Sequence, residues 1–563
     1  MGRNGSETFR HSRNHSISVQ MKSVSKTSDH KGASILVAQL AYNGLTNAVI
    51  SPGSRNAPLT IAFDAHPDID THVVIDERSA AHVALGMALR TGRPAAVICT
   101  SGTAALNHGP AIAEAFHQRI PLISITADRP TTSIGKGHGQ SVFQNYVFEN
   151  NCLGCFLVDE LIMNEEEIAF VASEAYAVAK NGPVHINVPF EEPLYGLCDF
   201  IEFDFVESSV NSESELFIPE GMNREDTKIL VIAGGLPFYK RGDESPRIAG
   251  ICEKFSGFSG ENIIHSGDLF TARLKGKWDD ELLPDTIITV GTPTLSKALR
   301  HAIGEIDVEH FHVSLDGDGW DTFNKGCVTI NADPYEWLEF FSQEVVQKSR
   351  FLSAWAEVKK SLYGSVINCD TPWSDLIAFE TLFKNVPTHS TIHLSNSTSV
   401  RYAQLVEAAE GVIIHSNRGV AGIDGCTSTA VGDAIVADKG HRVTLITGDI
   451  AFIYDLNGLA TVGELPDNLR IVVINNGGGE IFRWLDGPED TGLVDKYFET
   501  KPKSSLKAAA AYCGLAYFCA TDVESTIVGM ELLNNTNGPS ILEVKTDALI
   551  STSIYKSILS KEA

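Results

Sequence analysis

The amino-acid sequence predicts an α/β protein built from three doubly wound parallel-sheet domains in series. Two observations carry this reading. Short unbroken runs rich in valine and isoleucine, such as NAVI, AAVIC, TLIT and RIVVIN, alternate with helical stretches, the pattern of strands buried on both faces. The chain of 563 residues is also too long for one core, and its compositional breaks part it into blocks of roughly 100 to 200 residues.

Residues 1–30 are polar and lack helical periodicity, which predicts an N-terminal extension disordered at least in part. Met21 is an alternative start. The basic, Ser-rich character also admits a transit peptide, although no amphipathic stripe supports one. From 31 to 200, helical ASILVAQLAYNG and SAAHVALGMALRTG alternate with the strand-like NAVISPG, HVVIDE, AAVICTSG, PLISITAD and PVHINVP, giving a first domain. The Ser- and acid-rich stretch 201–227 reads as a linker. KILVIAGG, NIIHSG, DTIITVG and EHFHVS supply strands for a central domain over 228–350. A helical connection over 351–370 leads to a third domain, 371–563, through STIHLSN, GVIIHSN, HRVTLITGD, LRIVVINN and SILEVKT.

The formal charge of −27 argues against nucleic acid or an anionic membrane as partner, since either needs a basic footprint. No run approaches the ~18 apolar residues of a membrane span, and no apolar signal core stands near the N-terminus, so a soluble, cytoplasmic protein is expected. Ten cysteines lack framework spacing. The close pair Cys152 and Cys155, in CLGC, has no second pair to complete a zinc site, so reduced buried thiols are the favoured reading and a redox pair the alternative. LVIAGGLPF lacks a G-x-G-x-x-G pattern and a following acid, so the central domain reads as cofactor-free.

In parallel sheets the loops past the carboxyl ends of the strands carry the chemistry. In the first domain these loops hold SPGSR (51–55), Glu77, TSGT (100–103) and Asp128-Arg129. In the third they hold SNS (395–397), Asn417-Arg418, Gly448-Asp449 and Asn475-Asn476. HRVTLITGD and LRIVVINN read as strands joined by a helix beginning near Asp455, a right-handed crossover that brings Asp449 and Asn476 to one sheet edge. Singly, Asp449 reads as a helix cap and Asn476 as a turn residue. Together, one carboxylate, one amide oxygen and a carbonyl from the glycine run form a hard, oxygen-only half-shell suited to Mg²⁺ completed by water and diphosphate.

The Gly448-Asp449 step followed 26 and 27 residues later by Asn475 and Asn476 resembles the metal–diphosphate motif of thiamine diphosphate enzymes. ISPGSRNAPL, DERSAAHVALGMA, TSGTAALN, PLISITADRP, SNRGVAGIDGCTST and GDIAFIYDLNGL together resemble one branch of them, the 2-succinyl-5-enolpyruvyl-6-hydroxy-3-cyclohexene-1-carboxylate synthases of menaquinone biosynthesis, over about residues 31–560. The resemblance implies that Glu77, at the end of a strand and the start of a helix, contacts the aminopyrimidine ring of thiamine diphosphate. Asp449, Asn476 and Gly478 would hold Mg²⁺ or Mn²⁺, Gly448 would line the diphosphate, and Ile423 would support the bent cofactor, although ordinary core packing also explains an isoleucine there.

The reaction so implied decarboxylates 2-oxoglutarate and adds the succinyl unit to isochorismate. Both substrates are dicarboxylates, which arginine forks bind bidentately. By position, Arg55, Arg129, Arg401 and Arg418 carry over as carboxylate binders, with Ser397 beside them, Lys297 reaching from the central domain, and Gln140 near the reacting carbons. For an arginine alone, a surface ion pair is the common role. The chain departs from the family at Gly139, where asparagine often precedes the glutamine. The resemblance further implies a homodimer, or a dimer of dimers, with each cofactor between the first domain of one subunit and the third of its partner. An acetolactate-synthase-like carboligase or 2-oxoacid decarboxylase is the alternative enzyme, and a non-catalytic protein on the same scaffold would lack Glu77, Asp449 or Asn476.

Overall fold

The computed structural model describes residues 26–200, 202–207, 216–220, 222, 227–237, 248–315, 319–345, 349–364, 366–485, 487–502 and 505–560. Within them lie three parallel six-stranded sheets flanked by helices, the predicted class. The first sheet comprises β2 (Asn47–Ile50), β3 (Asp70–Val73), β4 (Ala95–Cys99), β5 (Leu122–Asp128), β6 (Gly154–Leu157) and β7 (Val184–Pro189), in the order β3-β2-β4-β5-β7-β6. A short antiparallel pair, β1 (Thr27–Ser28) with β8 (Leu197–Cys198), lies outside it.

The central sheet is built from β9 (Ile229–Ala233), β10 (Ala249–Cys252), β11 (Ile263–Ile264), β12 (Thr286–Val290), β13 (Glu309–Ser314) and β14 (Val328–Asn331), in the order β11-β10-β9-β12-β13-β14. The third holds β15 (Thr391–Leu394), β16 (Ile413–Ser416), β17 (Val443–Gly448), β18 (Leu469–Asn475), β19 (Ala516–Ala520) and β20 (Ser540–Lys545), ordered β16-β15-β17-β18-β20-β19. The first and third sheets therefore share one topology. In each, the strand order reverses direction between the first and third strands of the sheet, and an open α/β sheet binds ligands at that crevice. In the third sheet the crevice lies between the ends of β15 and β17, where Ser395–Ser397 and Gly448-Asp449 stand.

The predicted runs correspond to strands, and the strands absent from the prediction are mostly at or next to edges: β6, β10, β14 and β19. Segments such as GCFL and AYFCA are half-buried and carry weaker apolar runs than the central VTLITG. Residues 26–30, the end of the extension expected to be disordered at least in part, are ordered: Thr27 and Ser28 pair with Cys198 and Leu197, and His30 bonds Glu160 and the Pro193 carbonyl. The remainder of that extension, Met21 included, and parts of the expected linker lie outside the described residues. The described Val206 is fastened to the first domain, exchanging two hydrogen bonds with the Gln39 side chain at 2.9 and 3.1 Å.

The first and third domains of the chain pack through the helices Glu77–Thr91 and Cys426–Val436. Their approach depends on Gly86, where a Cβ would come within 2.0 Å of the Thr429 carbonyl oxygen. The neighbouring side chains, including Val83, Leu85, Ala430 and Val431, are fully buried in one apolar cluster.

Candidate active site

Past the ends of β15, β17 and β18 opens a cavity of about 670 Å³. It is lined by Ser397, Arg401, Arg418 and Ile423, by Gly448, Asp449, Asn476 and Gly478, and from the central domain by Lys297. Phe482, Leu485 and Phe498 add an apolar wall. Lys297 opens the helix Lys297–Gly304, which Ser296 caps by accepting from the Leu299 N–H, and the helix start aims this lysine at the third domain.

Asp449 begins a helix, Asp449–Tyr454, directly after β17; the helix expected near Asp455 therefore starts six residues earlier. Acidic residues favour the first turn, where the Asp449 Oδ1 accepts from the Ile450 N–H at 2.8 Å. Asp455 instead ends this helix, its buried carboxylate accepting from the Ser428 N–H and hydroxyl. The Asp449 Oδ2 is buried without a partner, and burial raises the carboxyl pKa to about 7. A buried bare carboxylate oxygen facing a cavity is suited to a cation.

Asn476 donates both amide hydrogens inward, to Asp375 at 2.9 Å and to Glu480 at 2.8 Å, so its Oδ1 is turned away from these acids. Burial pushes the Glu480 carboxyl up to about 10. Gly478 sits at φ +151° with the Glu499 carbonyl oxygen 2.7 Å from where a Cβ would be, so no larger residue fits. At Gly448 a Cβ would meet nothing within 4 Å, leaving open space beside Asp449. These features fit a diphosphate and its cation. Among the described residues no group of three or more His, Cys, Asp or Glu side chains could hold a metal. Of the two carboxylates that line this cavity, Glu480 is engaged by Asn476, Trp484 and Thr552, which leaves Asp449 with amide and carbonyl oxygens.

The arginines are held by neighbours that sequence reasoning missed. Arg418, whose ionised form burial disfavours, donates to the Asn396 Oδ1 at 2.7 Å, while Asn396 donates to the carbonyls of Asn417 and Gly422. The loop beside it is bound by Glu114 of the first domain, which accepts from the N–H groups of Gly419 and Val420. Glu253 of the central domain, its pKa raised to about 7 by burial, is bound to Thr294 and the Leu295 N–H and acts electrostatically on Arg418. Arg401 donates to the Ser397 carbonyl at 2.7 Å. Only Asn396, inside the SNS block, had a sequence signal. Glu253 follows the unpredicted strand β10, and Glu114 lies mid-helix.

Glu77, Arg55, Arg129 and Gln140 do not line this cavity. They stand at the carboxyl edge of the first sheet. Strand β3 stops at Val73, short of the expected end at the acid, and Glu77 is the first residue of its helix, half-buried. Val74 still donates its N–H to the Ile50 carbonyl of β2 while bridging to Val462; the chain turns away after it, where the Ile75 N–H donates to the Thr461 carbonyl and Asp76 caps the helix through Arg78 and Ser79. Arg55 is buried, spanning the Phe190 carbonyl at 3.0 Å and Glu192 at 3.1 Å. Arg129 reaches Gln140 at 3.4 Å, and Gln140, at φ +53°, is exposed.

Two half-sites, one acidic and amide-bearing with a glycine cradle, the other led by a helix-initial glutamate, are thus carried by two sheets of equal topology. Residues 30–150 match the thiamine pyrophosphate enzyme N-terminal TPP-binding domain, and residues 393–544 match the C-terminal TPP-binding domain. Proteins named 2-succinyl-5-enolpyruvyl-6-hydroxy-3-cyclohexene-1-carboxylate synthase are similar along nearly their whole length. That of Flavobacterium johnsoniae is 35% identical, covering 93% of this chain and 97% of its own. The chain belongs to this synthase family of thiamine pyrophosphate enzymes. The Desulfotalea psychrophila synthase is 35% identical over 91% of this chain and 98% of its own, and the Bacteroides thetaiotaomicron synthase 32% over 95% and 100%. The two family models fall on the first and third sheets, whose shared topology accords with membership; the first model spans β2 to β5.

Proposed function

We propose that the protein is a thiamine diphosphate-dependent synthase that decarboxylates 2-oxoglutarate and joins the succinyl unit to isochorismate by conjugate addition, releasing carbon dioxide. The observation that carries this reading is the cavity that gathers Lys297, Arg401 and Arg418 beside Gly448, Asp449 and Asn476: cations for dicarboxylates next to a cradle for a metal diphosphate. In a chain of net charge −27, dianionic substrates need such fixed cations.

Asp449 through its bare Oδ2, Asn476 through the oxygen left free by Asp375 and Glu480, and the Gly478 carbonyl would hold Mg²⁺ or Mn²⁺. The diphosphate would lie against Gly448. Ile423 would press on the cofactor between its rings. Bound thiamine diphosphate supplies the electron sink that takes up the charge left when carbon dioxide departs. Glu77 holds and returns the proton of the aminopyrimidine ring. Arg401, Arg418 and Lys297, with Ser397, bind carboxylates from the third-domain side, and Arg55 and Arg129 from the first-domain side, with Gln140 near the reacting carbons.

Because Glu77 lies outside the cavity that holds Asp449, the reading requires two chains, each lending its first domain to the third domain of the other. Val73 and Ile75, exposed beside Glu77, are apolar surface for such pairing. Among the described residues no helix is long and apolar enough to cross a membrane, which accords with a cytoplasmic place of action.

Carbon dioxide release tests the first half of the reaction. With thiamine diphosphate and Mg²⁺ present, the protein is expected to consume 2-oxoglutarate and leave pyruvate untouched. Turnover of pyruvate alone would instead mark an acetolactate-synthase-like enzyme.

A further inference from the structure

The Cys152 and Cys155 pair takes no part in the chemistry above. Their Sγ atoms lie 3.3 Å apart, Cys152 buried and Cys155 half-buried, at the start of β6 on the edge of the first sheet. No metal-holding group of three or more His, Cys, Asp or Glu occurs among the described residues, so the pair is not half of a zinc centre there.

Cys155 is the register partner of His185 on β7. The His185 Nε2 lies 2.7 Å from the Thr126 hydroxyl, which donates its one proton to the Asn187 Oδ1 at 2.9 Å. Nε2 therefore carries the ring hydrogen and donates to Thr126. Nδ1 is left as a buried lone pair, with the ring close enough to Cys155 to act on its thiol. The hydrogen bond from the Cys152 thiol pulls the Cys155 pKa down, helped by the His185 ring, while the same contact pushes Cys152 up. Cys155, the more exposed of the two and the one beside His185, is placed as the nucleophile, with the buried Cys152 behind it as the resolving thiol.

The polar chain continues inward. The Asn187 Oδ1 also accepts from Gln144 at 3.0 Å, and its Nδ2 donates to Asp128 at 2.9 Å. Gln144 accepts from the Gly102 N–H at 2.8 Å, and Asp128 accepts from the Arg129 N–H at 2.7 Å. An unbroken run of hydrogen bonds thus joins His185, beside the thiols, to the TSGT turn and Arg129 at the first-domain half-site.

We propose that Cys152 and Cys155 form a reversible thiol–disulfide site that reacts with small disulfides of the glutathione class, and that its closure disturbs the Arg129 side of the active site through His185, Thr126 and Asn187. The Cys155 thiolate, its proton taken by the His185 Nδ1, attacks one sulfur of the small disulfide and expels a thiolate. The Cys152 thiol then attacks the Cys155 sulfur, expelling a second thiolate as its proton passes to solvent. Two protein thiols are oxidised, and one small disulfide is reduced to two thiols.

The activity arm of the test rests on the proposed reaction, whereas the mass arm does not. Holoenzyme is incubated with excess oxidised glutathione, and the peptide containing residues 152–155 is weighed. The expected result is loss of two hydrogens from this peptide, restored by dithiothreitol, with a several-fold reversible fall in synthase rate that Cys155→Ser and Cys155→Ala do not show. A peptide that keeps both thiols while the exposed Cys369 and Cys519 become mixed disulfides would overturn the site. A disulfide that forms with the rate unchanged would overturn its link to Arg129.

Discussion

Glu114, in the first domain, accepts a hydrogen bond at 2.6 Å from the backbone N–H of Gly419, in the third. Its second oxygen takes the Val420 N–H at 2.8 Å, so one carboxylate fixes the turn that follows Arg418. A buried acceptor of this kind is worth on the order of 1–3 kcal/mol to the geometry it holds. Glu114→Ala should therefore raise KM for the dicarboxylate substrate by about ten- to a hundred-fold, with a smaller change in kcat and recovery in part in Glu114→Gln. Steady-state kinetics checks this; an unchanged KM would remove Glu114 as a positioning residue.

Asp449→Ala removes the one carboxylate of the proposed cation site. Calorimetric titration with thiamine diphosphate and Mg²⁺ should show cofactor binding lost or weakened by several orders of magnitude, with the fold retained. Unchanged affinity would refute the metal assignment.

Glu77→Gln should bind cofactor and lose most of the rate, since an amide cannot manage the ring proton. Loss of deuterium exchange at the thiazolium carbon is the direct readout. If Glu77 and Asp449 of one site come from different chains, mixing inactive Glu77→Gln and Asp449→Ala proteins should restore activity, because each mixed dimer has one site with both residues intact. Verified subunit exchange without recovery would exclude the shared site.

The N-terminal strand is held by a pH-sensitive pair. The Glu160 carboxylate, 2.6 Å from the His30 ring, raises the histidine's pKa, and that hydrogen bond helps hold Glu160 below its usual value against burial. A raised histidine stabilises the folded arrangement below its ordinary pKa of ~6.5, and that stability is lost as pH rises through the raised value. The depressed glutamate acts oppositely, its share being lost as pH falls through its lowered value. Docking of residues 26–30 is thus tightest between the two. Amide hydrogen exchange there, corrected for its intrinsic pH dependence, should lose protection above neutrality in the wild type, and this loss should be absent in His30→Ala.

The sequence shows most where a strand is central: VTLITGD and RIVVINN announce β17, β18, Asp449 and Asn476, because strands covered on both faces must be apolar throughout. It shows little of the edges, where GCFL and AYFCA need no such run, nor of the exit from β3, set by long-range pairing of Val74 with Val462. Lys297, at the start of an ordinary helix, is brought to the cavity only by packing of the central domain on the third. Asp375, Glu253 and Glu114 act through partners far along the chain, and no local pattern marks them.

The reaction itself is tested most directly by purified protein supplied with thiamine diphosphate, Mg²⁺, 2-oxoglutarate and isochorismate, with the product weighed. One product is expected, with a mass equal to the sum of the two substrates less carbon dioxide, formed only when both are present. Isochorismate recovered unchanged while 2-oxoglutarate is consumed, or a product built from two 2-oxoacids, would contradict it.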